Sequence, residues 1–111
     1  MKKLSIFLFL TLIAVTIFSV NSKIDSLQGE LEKHNQLVIK AGLARDIGYA
    51  YLELKEYDNS LEYFNIASEL YLELDMIAEL SSIYYSIGRV YGYKIDYINA
   101  LEYYSKSLSI D

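Results

Sequence analysis

Along this chain the apolar and polar positions sort into one long apolar run followed by a series of helical stripes. From Leu4 to Val20 the run is interrupted only by Ser5, Thr11, Thr16 and Ser19, so it is apolar on every face. From Lys23 to Gln36 the pattern becomes one-sided, with Ile24, Leu27 and Leu31 three and four apart on a single helical face. Ser22 reads as the N-cap of this short helix, with Asp25 three positions on in a weak variant of the capping box, and Gly29 weakens it. The polar triplet His34-Asn35-Gln36 then predicts a break, after which a longer helix runs to about Leu54. Lys55 and Glu56 make a turn, and a second helix spans about Tyr57 to Leu74. Asp75 reads as the next N-cap, opening a helix from Met76 to about Lys94; Ile95 makes the second turn and Asp96 caps a last helix ending near Ile110.

The last two pairs of elements repeat each other at a fixed offset. Subtracting 40 places Ile87 on Ile47, Gly88 on Gly48, Tyr91 on Tyr51, Tyr97 on Tyr57 and Asn99 on Asn59. Leu101-Glu102-Tyr103 then falls on Leu61-Glu62-Tyr63. Such self-similarity marks a repeat architecture, and each copy holds two helical patterns joined by a short polar turn. The natural unit is therefore an antiparallel helix pair.

This unit resembles the tetratricopeptide repeat, whose pattern asks at fixed spacing for a Leu-Gly-like pair, an aromatic, a small residue, a second aromatic and an Ala. Copy one supplies Ile47-Gly48, Tyr51, Ser60, Phe64 and Ala67; copy two supplies Ile87-Gly88, Tyr91, Ala100, Tyr104 and Ser107. The opening aromatic is met by Tyr84 alone, since Ala44 occupies that position in copy one, and the terminal Pro is missing from both. Small residues at these offsets let two helices approach closely. Gly48 and Gly88 each cost roughly 1 kcal/mol of helix propensity, which close packing justifies. The offset of 40 residues exceeds the family's usual period of about 34, and longer helices absorb roughly 9 Å of extra rise. The expected fold is all-α: antiparallel helix-turn-helix repeats, a tetratricopeptide-like α-solenoid fragment, preceded by an apolar export or anchor helix. The expected organisation is residues 1–22 as signal peptide or membrane anchor, 23–36 as a short leading helix, and 37–74 and 75–111 as two repeat pairs.

Length and charge narrow the functional classes. The 111 residues make one domain at most, part of it outside the folded body. With no Cys there is neither a disulfide framework nor a thiolate metal site. The net charge is -5, and without residues 1–22, which hold only Lys2 and Lys3, eight basic residues face fifteen acidic ones, or -7. Such an acidic body lacks the clustered Lys and Arg that phosphate-backbone binding requires, so no nucleic acid is expected as partner. Lys2 and Lys3 before the apolar run fit a secretory signal, with Val20-Asn21-Ser22 as an imperfect cleavage site, or an uncleaved anchor holding the membrane through residues 4–20. The positive-inside rule then puts the repeats outside the cytoplasm, in the periplasm or extracellular space, or anchored in an inner membrane.

Catalytic chemistry is not indicated. His34 is the only His and lies in a polar stretch, and no metal or cofactor site is expected. Glu53, Glu56 and Asp58 near one turn, and Glu69, Glu73 and Asp75 near another, read as solvated helix ends. No phosphate loop, catalytic triad or nucleophile elbow is present. The resemblance instead implies a concave groove lined by the first helix of each pair, which holds a protein or peptide partner. Carried over residue by residue, its positions are Arg45, Tyr49 and Glu53, then Tyr85, Arg89 and Tyr93. Tyr and Arg are the residues most enriched at binding hot spots. Tyr49 stands where family members that clamp a terminal carboxylate have Asn, so that activity is not implied. Two repeats fall short of the roughly three that a stack needs. The sequence thus reads as an incomplete gene product, the front of a longer one, or a protomer that completes its core as a homo-oligomer. The export segment and elongated repeats together resemble the front of bacterial histidine-kinase-like signalling proteins, and a membrane-tethered, self-associating structural protein is the alternative from another class.

Overall fold

The structure, a computed structural model, describes residues 2–110. Among them are four helices and no strand: α1 (Lys2–Glu53), α2 (Tyr57–Glu73), α3 (Ile77–Tyr93) and α4 (Tyr97–Ser109). Internal contacts divide the chain into two units, residues 1–34 and 35–111. In the first, every described residue is helical and exposed. All of the core lies in the second.

The break expected at His34-Asn35-Gln36 does not occur, because α1 continues through it. Polar residues of this kind cost a helix less than about 0.7 kcal/mol each, and only a Pro or a committed cap ends one. For the same reason Ser22 and Asp25 lie inside α1 and form no capping box.

The three connections share one geometry. Lys55, Asp75 and Ile95 take left-handed backbone at φ 61°, 55° and 62°. Each closes the helix before it with a Schellman pair of hydrogen bonds. Lys55 N donates to Leu52 O and Glu56 N to Tyr51 O, both at 3.0 Å; Ile95 N reaches Gly92 O at 3.0 Å and Asp96 N reaches Tyr91 O at 2.9 Å. Asp75 N and Met76 N make the same pair to Leu72 O and Tyr71 O, at 3.1 and 2.9 Å. Asp75 is therefore the residue that closes α2, and the N-cap of α3 is Met76, which has no side-chain acceptor to offer. Asp96 does cap α4, accepting from Asn99 N at 3.3 Å while Asn99 Nδ2 donates to its other oxygen at 2.7 Å.

Small residues set the spacing within each pair. A Cβ on Gly48 would stand 2.6 Å from Cδ1 of Phe64, and one on Gly88 would stand 2.8 Å from Cδ1 of Tyr104 and 3.2 Å from the Ala100 carbonyl. Ser60, also buried, donates from Oγ to the Gly48 carbonyl at 2.8 Å, tying α2 to α1 beside the glycine. In the second pair Ser81 and Ser107 exchange hydroxyl-to-carbonyl bonds of 2.9 and 2.8 Å across α3 and α4. Ala41, Ala44, Phe64 and Ala67 of the first pair join Leu80, Ile83, Ile87 and Val90 of α3 in one core. Stacked tyrosines flank it, Tyr51 on Tyr63 and Tyr91 on Tyr103, each with ring centroids 5.6 Å apart. Among the described residues no buried side-chain polar atom lacks a partner.

Packing and backbone conformation set the expected stability of three variants. Gly48→Ala gains about 1 kcal/mol of helix propensity but forces a methyl into the fully buried Phe64 ring, at about 1 to 3 kcal/mol, so a net loss is expected in urea unfolding. Gly92→Ala, whose Cβ would meet nothing within 4 Å, is expected to show the propensity gain alone. Ile95→Gly, which removes a β-branched side chain from left-handed backbone, is expected to stabilise by about 1 kcal/mol and to raise the thermal midpoint.

Candidate partner-binding groove

α1 meets α2 at the Ser60–Gly48 bond and meets α3, the first helix of the second pair, through Tyr49 and Ser86, while α2 packs on α3. Between α1 and α3 opens a concavity of about 470 Å³. Its α1 wall is Tyr49, Leu52 and Glu53 with Lys55 of the following turn; its α3 wall is Arg89 and Tyr93; Tyr57 of α2 also lines it. Four of the six residues expected at a groove, Tyr49, Glu53, Arg89 and Tyr93, thus line one space.

Each aromatic wall is held from behind. Tyr49 packs edge-on against Phe64, centroids 4.9 Å apart, and its hydroxyl shares a 2.7 Å hydrogen bond with Ser86 Oγ on α3. That bond ties the two walls together. Tyr93 stacks almost parallel on Tyr57, at 5.9 Å and 12°. Arg89 Nη2 donates to the Tyr93 hydroxyl at 3.3 Å, and its guanidinium lies 6.0 Å from that ring's centre. The hydrogen bond to Tyr93 raises the Arg89 pKa further above its ordinary value and outweighs burial, so the groove carries a fixed positive charge. Beside it, Lys94 at the end of α3 pairs with Asp58 of α2.

The other two expected residues lie elsewhere. Arg45 donates from Nη1 to the Tyr71 hydroxyl at 3.3 Å and from Nε to Asp46 Oδ1 at 3.1 Å. The bond to Asp46 raises its pKa, and its charge is engaged within the first pair. Tyr85 leans on Tyr104 at 5.4 Å and opens onto a neighbouring concavity of about 370 Å³ shared with Arg89, Gly92 and Tyr93. Leu52, Lys55 and Tyr57 were not expected at the groove. Tyr57 was legible as a repeated aromatic, since Tyr97 matches it, but its place on the second helix of a pair hid its role. Among the described residues no three His, Asp or Glu side chains come together as a metal site.

Helix pairs stacked through small-residue contacts, with a concave face formed by their first helices, define a helix-turn-helix repeat module. Residues 46–75 and 81–111 each match the family model described as tetratricopeptide repeat, and the chain belongs to that family. These repeats are non-catalytic modules that generally mediate contacts between proteins. No curated protein matches the chain.

Proposed function

We propose that this chain is a protein- or peptide-binding module, exported or held at a membrane, that takes a polypeptide segment into the groove between α1 and α3. The convergence of Tyr49, Tyr57, Tyr93 and Arg89 on one concavity carries this reading. Flat aromatic faces give a broad apolar contact at low entropic cost, and a guanidinium offers several donors in a fixed fork. A segment pairing an apolar side chain with an acidic one matches this lining. Glu53 and Lys55, at the same rim, set its direction by offering opposite charges.

The proposed location rests on residues 2–34. α1 contains a stretch long and apolar enough to cross a membrane, with none of it buried. Its threonine hydroxyls bond within the helix, Thr11 to Leu8 O at 2.8 Å and Thr16 to Leu12 O at 2.9 Å, as a hydrocarbon environment demands. Lys2 and Lys3 favour a cytoplasmic N-terminus and repeats on the far side. The same arrangement suits the sensory part of a receptor.

The full chain, immobilised from detergent, is expected to select peptides from a displayed random library. Arg89→Ala/Tyr93→Ala is expected to bind those peptides at least tenfold more weakly with an unchanged helical circular dichroism spectrum. Peptides indifferent to the double variant would place binding outside the groove. Alkaline phosphatase fused after residue 111, which matures only where its disulfides form, is expected to be active in cells. An inactive but intact fusion would refute export.

A further inference from the structure

We propose that this chain binds a second copy of itself head to tail, the open face of α4 on one copy receiving the open face of α1 (its part beyond residue 35) on the next, in the geometry by which α2 receives α3. The α2–α3 junction is the template. Because the two pairs repeat at an offset of 40, every contact across it has an image formed by adding 40 to the first-pair residue and subtracting 40 from the second-pair residue.

Both image faces are open. Ile83 and Ile87, 1% and 0% exposed at the junction, correspond to Leu43 and Ile47 on α1, which are 57% and 39% exposed. Leu61 and Ser68, both 8% exposed on α2, correspond to Leu101 and Leu108 on α4, at 66% and 80%. One face alone has many possible covers; what selects a second copy is that the two faces match each other.

Three image contacts show the match. The 2.7 Å bond from Tyr49 to Ser86 becomes Arg89 facing Asp46 of the second copy. A long polar side chain again meets a short one, now with opposite charges. The Tyr57–Tyr93 stack becomes Tyr97 beside Glu53 of the second copy, a phenol donor beside a carboxylate. The Lys94–Asp58 ion pair becomes Leu54 and Ile98, both apolar and 69% and 83% exposed. Charge has left both sides of that contact together, so no ion is stranded against an apolar partner. Because the two faces differ, the contact is heterologous and links copies head to tail, into a ring or an open chain, rather than closing as a symmetric dimer.

The natural sequence contains no Cys, so introduced thiols report specific neighbours. The full chain carrying Leu54→Cys/Ile98→Cys, in mild detergent and treated with a short bismaleimide, is expected to give a ladder of dimers, trimers and higher species. Either single variant is expected to give none, and a tenfold excess of the natural chain is expected to suppress the ladder. Arg89→Glu is expected to lower the linked fraction at least fivefold, and adding Asp46→Arg to restore it. Linked dimers from Ile98→Cys alone would overturn the proposal in favour of α4 facing α4. Absence of a ladder in a chain with native helical content, or a ladder that the natural chain does not suppress, would overturn it outright.

Discussion

The closest approach of two helices, at a glycine facing an aromatic ring, is the constraint on which the rest of this structure depends. At Gly48 and Gly88 there is no room for a methyl group, and the space it would take is filled by Phe64 and Tyr104. A helix backbone can come this near a ring only where its own side chain is absent. The hydroxyl of Ser60 adds a directional bond to the same spot, so the approach is fixed in register as well as in distance. The remaining packing follows from this: alanines and serines where helices touch, and tyrosines splayed to either side where they diverge.

The groove is a by-product of that spacing. With α1 and α3 joined at Tyr49 and Ser86, a concavity remains between them, lined by Tyr49, Tyr57 and Tyr93. Tyr49 shows the division of labour, since its ring braces Phe64 and its hydroxyl ties α1 to α3. Tyr93 and Arg89 are less constrained and carry most of the exposed chemistry. Across an acidic chain the positive charge of Arg89 is held in place by Tyr93, whereas that of Arg45 is spent on its neighbour Asp46.

Much of the fold was legible because it was written twice. The agreement of Gly48 with Gly88, and of Phe64 with Tyr104, constrains two helices at once, which no single amphipathic stripe does. Asp96 was readable as a cap because Asp is a favoured N-cap residue, and its carboxylate does accept from the Asn99 amide. Asp75 carries the same side chain yet closes the helix before it, since Schellman closure needs a left-handed residue and Asp tolerates that conformation well. The expected break at His34-Asn35-Gln36 failed because polarity without a cap or a Pro is no stop signal. At the groove, Arg45 and Tyr85 satisfied the family's positions but were drawn off by Tyr71 and Tyr104, long-range contacts that spacing along one helix does not reveal.

The left-handed residues at 55, 75 and 95 stand 20 positions apart. The same turn therefore joins the helices within a pair and between pairs, while the side chains that pack them repeat only with the whole hairpin, every 40 residues. Insertion or loss of forty residues, one whole helix pair, preserves the direction and facing of everything downstream. Loss of a single residue inside α3 ahead of Gly88 turns the later side chains of that helix by about 100° relative to the earlier ones, so those that face α2 and the Gly88 that faces Tyr104 fall out of phase. Length variation in such a chain is thereby confined to whole pairs and to the connections themselves, where a residue added outside the helix leaves its phase untouched.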